Sequence, residues 1–363
     1  MGQKKRISYL DMAKGVGVVL MVTGHVISYM QTHDYKAYLG PIYHWIASFH
    51  MPLFFIISGI LLWITGEEKK DMKQIVLRKV KTLLLPYIVF SIIYILINLH
   101  TSITHPEVLP RSEILKYVIH SITFRGIGVL WFLTVLFIGE VFFLFCRKHL
   151  SDIKLAGLFS ILGLIVLSTC TLFQWESWEN SYALMVLGAL LQTIYKGILA
   201  GFFLMIGYFS AGLLQKNERK TIREFMLGVI LIIAEVWLCF QNSQVDMNYM
   251  VFDNIWLYIL CSCMGSYGII LICKNVYQSR FLRLCGANSL VIMVTHIEFR
   301  VLMQAIMFAY WLMNFVTRAR EYVLFFAMAV MISILEAFII FIFNHYLYFL
   351  IGKRKPEKMF WKK

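Results

Sequence analysis

An all-α polytopic membrane protein of about ten transmembrane helices, with both termini inside, is the fold class this sequence predicts. Three observations predict it. Of the 363 residues, 60% are hydrophobic and only 15% are charged, against roughly 45–50% and about 25% in soluble domains. The mean hydropathy is +0.73. The apolar residues gather into runs of about 20, the length a helix needs to cross the hydrocarbon core of a bilayer. This composition excludes a disordered chain, a coiled coil and a small disulfide scaffold. It also excludes a nucleic-acid binder built on a soluble core, despite the formal net charge of +14.

Ten spans are expected, at residues 9–30, 45–65, 83–99, 127–146, 155–173, 196–214, 225–241, 254–273, 286–313 and 322–350. The first follows Lys4, Lys5 and Arg6, but it is long and lacks a small-residue cleavage site. It therefore reads as a retained helix rather than a cleaved leader. The ninth is too long for one straight helix, and a bend is expected near Glu298–Arg300. Segment 183–195 is apolar but short, and reads as an interfacial or re-entrant piece ahead of the sixth span. The seven cysteines lie almost entirely in apolar runs without metal-ligand spacing, and read as small hydrophobes.

Orientation follows from the basic residues. With the N-terminus inside, 25 Lys and Arg fall on the inner side and six on the outer side. Positive-inside bias of that size places both termini in the cytosol and calls for an even number of spans. No internal repeat is visible, and residues 1–363 read as a single membrane-embedded domain. The longest outer loop, 100–126, is too short to carry a catalytic domain of its own.

Ionisable residues within the spans mark the candidate site, because such groups are costly in the bilayer and therefore functional or paired. They are Asp11, Lys14, His25, His50, Glu140, Glu235, His296, Glu298, Arg300, Glu336 and His345. Taken singly, each is expected to pair across helices. The first span is different. Lys14 and His25 are 11 residues apart, which brings them within about 20° of one another around the helix and about 16 Å apart along it. Gly15, Gly17 and Gly24 on that helix would let a neighbour approach closely. His50 lies at about the depth of His25, with Pro52 expected to bend the helix beside it. Ser289, His296, Arg300 and Gln304, spaced 7, 4 and 4, would share one face of the ninth span. Three histidines in three spans point to a shared polar cavity.

These residues sit in blocks that follow in a specific order: RISYLDMAKGVGVVLMVTGH (6–25), FHMPLFFIISGILL (49–62), RKVKTLLLPYIVFS (78–91), LWFLTVLF (130–137) and GANSLVIMVTH (286–296). Together they resemble the acyltransferase-3 family of bacterial membrane acyltransferases, in its short, surface-polysaccharide O-acetyltransferase-like branch. Lys14 and His25 occupy the family's basic-x10-His pattern. The paired glutamates that follow the Trp block in larger relatives are replaced here by Glu140 alone, and no appended extracytoplasmic domain is expected.

The resemblance implies transfer of an acyl group, most simply acetyl, from cytosolic acetyl-CoA to a hydroxyl of a cell-surface glycan or glycolipid. It implies a multi-pass protein of the bacterial inner membrane that uses no metal and binds no nucleic acid. His25, His50 and His296 are then the candidate catalytic residues, and Lys14, Arg78, Lys79, Lys81 and Arg300 the candidate donor-binding ones. A histidine can take the hydroxyl proton as the thioester is attacked, or carry the acyl group itself. The oxyanion would be met by Arg300, His296 or backbone N–H groups near Gly59. Two other readings share the same polar spans: a proton-coupled transporter or flippase, and an acyltransferase acting on a lipid-linked or small-molecule acceptor. Trp175, Trp178 and Tyr182 read mainly as interfacial belt residues, with sugar stacking as the alternative.

Overall fold

The computed structural model describes residues 7–31, 36–170, 178, 181–216, 220–297, 301–313 and 320–353. Fourteen α-helices make up almost all of the described chain. The first seven are α1 (Ser8–Gln31), α2 (Lys36–Thr65), α3 (Met72–Lys79), α4 (Leu85–Thr104), α5 (Arg111–Ile122), α6 (Trp131–His149) and α7 (Asp152–Thr169). The rest are α8 (Tyr182–Lys216), α9 (Ile222–Cys239), α10 (Ile255–Asn275), α11 (Arg280–Ala287), α12 (Ser289–Thr295), α13 (Val301–Met313) and α14 (Arg320–His345). Between α9 and α10, strands β1 (Val245–Asp246) and β2 (Val251–Phe252) pair antiparallel, with Val245 opposite Phe252.

Among the described residues, eight stretches are long and apolar enough to cross a membrane: Ser8–Ser28, Gly40–Thr65, Met72–Thr104, Gly128–His149, Asp152–Thr169, Tyr182–Gln215, Ile255–Asn275 and Ala327–His345. Each coincides with an expected span. Of the other two, the seventh corresponds to α9, which has spanning length but carries Arg223, Glu224 and Glu235. The ninth is not one helix. It divides into α11, α12 and α13, with a break after Ala287 and a second after Thr295. The second break begins at His296; the expected bend at Glu298–Arg300 lies outside the described residues.

Segment 183–195 is not a separate re-entrant piece. It forms the first turns of α8, a 35-residue helix about 52 Å long at 1.5 Å per residue. That exceeds the hydrocarbon thickness of about 30 Å, so α8 tilts or protrudes. The third span is likewise longer than expected. α3 and α4 form one rod joined by a π-turn at Val80–Leu84. Pro86 at the start of α4 has no N–H to offer the carbonyl one turn back, and its ring crowds that carbonyl. A widened turn accommodates both.

Glycines set the tightest helix contacts. A Cβ on Gly59 would meet the Leu204 carbonyl oxygen at 2.0 Å, and one on Gly207 would meet that of Ile56 at 2.0 Å, so α2 and α8 lie backbone to backbone. Gly15 and Gly286 do the same for α1 and α11, against Leu282 and Asp11. Without a hydrophobic driving force between helices in lipid, such close approach is a principal source of association. Of the other two glycines on α1, Gly17 packs against the Phe54 ring, whereas Gly24 has nothing closer than 3.6 Å.

Candidate functional site

The face of α1 expected from the Lys14–His25 spacing opens onto a cavity of about 490 Å³, within the range of 300–1,000 Å³ typical of ligand pockets. Val18, Met21, His25 and Ser28 line it at spacings of 3, 4 and 3 residues, the stripe a helix presents to one side. Lys14 continues this stripe one turn beyond Val18, and is half-buried outside the cavity wall. At the end where the basic loops gather, the lining is Thr82 and Leu83 from the π-turn, with Ser289 and Leu290 from α12. At the opposite end it is Tyr43 from α2 and residues 246–249 from the β-hairpin. Phe54, Phe132 and Leu136 form an apolar wall between the two ends.

His25 and His50 both line this cavity. Nδ1 of His50 lies 2.7 Å from the Ile46 carbonyl. A carbonyl can only accept, so Nδ1 carries the proton, and in the neutral ring Nε2 is a bare lone pair. Pro52 bears on His50 indirectly. It leaves the Ser48 carbonyl without its helical donor, and the Ser262 hydroxyl of α10 donates to that carbonyl at 3.1 Å. The same turn is clamped from α9. The fully buried Glu235 accepts from Trp45 Nε1 at 2.6 Å and from Ser48 Oγ at 2.5 Å.

His296 stands behind His25 rather than on the cavity. It is 1% exposed, and its ring centroid lies 5.2 Å from that of His25. Its Nδ1 donates to the Ile292 carbonyl at 2.8 Å, and its Nε2 is buried without a hydrogen-bond partner among the described residues. Thr295, beside it, lies 3.1 Å from both carboxylate oxygens of the buried Glu336 on α14. The single-face reading of Ser289, His296, Arg300 and Gln304 does not hold. The helix breaks after Thr295, so the phase is lost; Ser289 lines the cavity, His296 is buried, and Gln304 is exposed. Arg300 lies outside the described residues.

Three of the expected donor-binding cations, Arg78, Lys79 and Lys81, precede Thr82 and Leu83 of the lining in the chain. Lys79 pairs with the buried Glu140 of α6 at 2.5 Å, and Arg78 pairs with the buried Glu67. Lys81 is exposed and adjoins Thr82 of the lining. Glu140, Glu235 and Glu336 thus each have a partner on another helix, as expected for single buried carboxylates. Gly59 is closed off by Leu204 of α8, so backbone N–H groups around it do not face the cavity.

Several lining residues escaped the sequence reading. The β1–β2 hairpin is among them. Its signal was alternation: Val245, Met247, Met250 and Phe252 are buried anchors, while Asp246 and Asn248 between them reach the cavity. Oδ1 of Asp246 accepts from the backbone N–H of Asn248 at 2.7 Å and of Tyr249 at 3.0 Å. Burial pushes this carboxyl above its ordinary range, opposed by those two bonds and by Lys196. Lys196 of α8 is 1% exposed; its ammonium donates to Asn248 Oδ1 at 3.0 Å and sits 5.0 Å above the Trp131 ring centre. Nearby, Arg125 donates to His120 Nε2 at 2.6 Å and to Gln192 Oε1 at 3.0 Å. Burial first, and then the Arg125 cation, push the His120 imidazole down to about 3. Trp178 packs on Gly188 beside this cluster and Tyr182 is exposed, whereas Trp175 lies outside the described residues.

Comparison with known proteins adds two matches. The acyltransferase-3 family model, described as an acyltransferase domain, matches residues 7–342. The chain is also similar to the nodulation protein NolL of Mesorhizobium japonicum, 29% identical over 142 residues, which is 39% of this chain and 36% of that protein. The chain thus spans about a third of the length of that curated relative. No solved structure gives a significant match.

Proposed function

This chain belongs to the acyltransferase-3 family, and from that premise we propose that it moves an acyl group, most simply acetyl, from cytosolic acyl-CoA to a hydroxyl of an extracytoplasmic glycan. The observation that carries the reading is the cavity itself. It extends from the basic loops to the hairpin and passes both His25 and His50. The stretch of α1 that lines it, from Val18 to Ser28, is about 15 Å long, comparable to the pantetheine arm of CoA.

The donor enters from the basic side. Lys81, with Lys79 and Arg78 once released from Glu140 and Glu67, meets the nucleotide phosphates as cations suited to oxyanions. Lys14 holds the donor further along the α1 stripe. The arm lies against the apolar wall, and the thioester reaches the histidines. The acceptor hydroxyl arrives from the hairpin side.

His25 takes the hydroxyl proton as the oxygen attacks the thioester carbon, within reach of a general base. The C–O bond forms, the C–S bond breaks, and the CoA thiolate leaves toward the cytosol. His296 Nε2, a buried acceptor on a ring whose centroid lies 5.2 Å from that of His25, is suited to hold an N–H of His25 and turn its other nitrogen to the cavity. His50, bare at Nε2, serves as a second base or as the site of a transient acyl group. An acyltransferase with a lipid-linked or small-molecule acceptor would use the same donor half of the cavity.

The test uses purified full-length protein in detergent with acetyl-CoA, reading donor affinity by calorimetry and free thiol by a colorimetric reagent. His25→Ala and His50→Ala should each bind acetyl-CoA within about twofold of wild type and lose CoA release by about 10²–10⁴-fold. Wild-type protein that fails to bind acetyl-CoA would return the chain to a transporter or flippase reading.

A further inference from the structure

We infer that the β1–β2 hairpin is the acceptor-recognition element of this cavity, and that Lys196 is the positioning residue that sets it to bind a pair of neighbouring hydroxyls. The inference rests on the acyl-transfer reading above.

The cavity is uneven in polarity. Its middle is apolar, but Tyr43, Asp246, Asn248 and Tyr249 converge at the hairpin end. A hydrocarbon occupant would displace water from these hydrogen-bonding groups without replacing its bonds. A ring bearing hydroxyls satisfies them.

The turn is preorganised from both sides. Met247 and Met250 anchor it in the core at 4% and 1% exposure. Both backbone bonds to Asp246 go to Oδ1, leaving Oδ2 to accept a hydroxyl proton. Lys196 occupies Asn248 Oδ1, so the carboxamide is fixed with its N–H₂ as the free, donating end. Carboxylate acceptor and carboxamide donor side by side match two adjacent hydroxyls, one donating and one accepting. A lysine buried to this degree is costly unless bonded. Its bond to Asn248 and its place over Trp131, itself a lining residue, hold it there.

The experiment measures CoA release from acetyl-CoA by the full-length protein in detergent. Acceptors are the methyl glycosides of glucose, galactose and mannose, with 1-octanol as an apolar alcohol. At least one glycoside should accelerate release while octanol does not. Asn248→Ala and Lys196→Met should raise the apparent glycoside KM about tenfold, the loss of one hydrogen bond, with acetyl-CoA affinity within about twofold. Lys196→Arg should restore part of the loss. If no glycoside surpasses octanol, or if Asn248→Ala and Lys196→Met leave the glycoside KM unchanged, the hairpin assignment is overturned while acyl transfer stands. If the wild type neither binds acetyl-CoA nor releases CoA, acyl transfer itself falls and the hairpin assignment falls with it.

Discussion

The rings of His25 and His296 lie 5.2 Å apart at an interplanar angle of 46°, one on the cavity wall and the other sealed behind it. This pairing joins α1 to the broken segment that follows α11, and it gives the two histidines different expected roles. Replacing His296 by Leu should lower the rate of transfer about 10–100-fold, less than loss of the base itself, and leave acetyl-CoA affinity unchanged. A calorimetric titration beside a transfer assay checks this. Wild-type rates in His296→Leu would reduce the pairing to packing.

Lys14 and His25 should fail differently. Lys14→Ala is expected to weaken acetyl-CoA binding, and Lys14→Arg to recover much of it, because the family's basic-x10-His pattern admits either cation. His25→Ala should keep donor binding and lose transfer. Loss of donor binding in both alanine variants would mean that the α1 stripe serves the fold rather than two chemical roles.

Orientation is open to labelling. In a variant stripped of its seven cysteines, a cysteine at Lys70 should be shielded from a membrane-impermeant thiol reagent in intact cells. One at Glu107, in the loop between α4 and α5, should react. The reverse pattern would invert the protein and with it the direction of donor entry.

The glycine contacts bear on stability. A methyl group at Gly286 would sit 1.8 Å from the Asp11 carbonyl oxygen, and one at Gly207 would sit 2.0 Å from that of Ile56. Gly286→Ala and Gly207→Ala should each cost about 1–3 kcal/mol, the range for overpacking, read as a lower Tm in detergent. Gly157→Ala, with nothing within 4 Å of its new methyl, should leave Tm unchanged. An equal Tm for all three variants would contradict the backbone-to-backbone contacts.

His120 should make the protein acid-sensitive. Its imidazole is held down to about 3 against an ordinary 6.5, by burial first and then by the cations Arg125, Lys116 and Lys196. Between those two values the unfolded chain binds the additional proton, so stability falls as pH drops below about 6.5. Melting at pH 7 and pH 5 should therefore show a smaller drop for His120→Gln than for wild type. An identical drop would place the acid sensitivity elsewhere.

Much of the fold was legible because a bilayer imposes a one-dimensional rule. A run of about 20 apolar residues must be helical to satisfy its own backbone, and eight such runs recur as helices here. The α1 stripe was legible for a related reason: within one continuous helix, spacing alone sets which residues share a face. The same argument failed across Thr295–His296. A backbone break resets the helical phase, and nothing in the spacing of Ser289, His296 and Gln304 reports a break. It failed again at 183–195, where an apolar segment judged too short on its own proved continuous with α8.

The sequence by itself determined the membrane class, the succession of helices, and the Lys14–His25 face with its family resemblance. These depend on local composition and on the period of a single helix. Only the tertiary structure decided which side chains meet: His296 behind His25, Glu235 clamping Trp45 and Ser48, Lys196 beneath Asn248, and a short hairpin closing one end of the cavity. Those side-chain pairs lie from 52 to 271 positions apart in the chain. They depend on how helices cross at their glycines and how freed carbonyls find new donors, and neither quantity is written in any one segment of the chain.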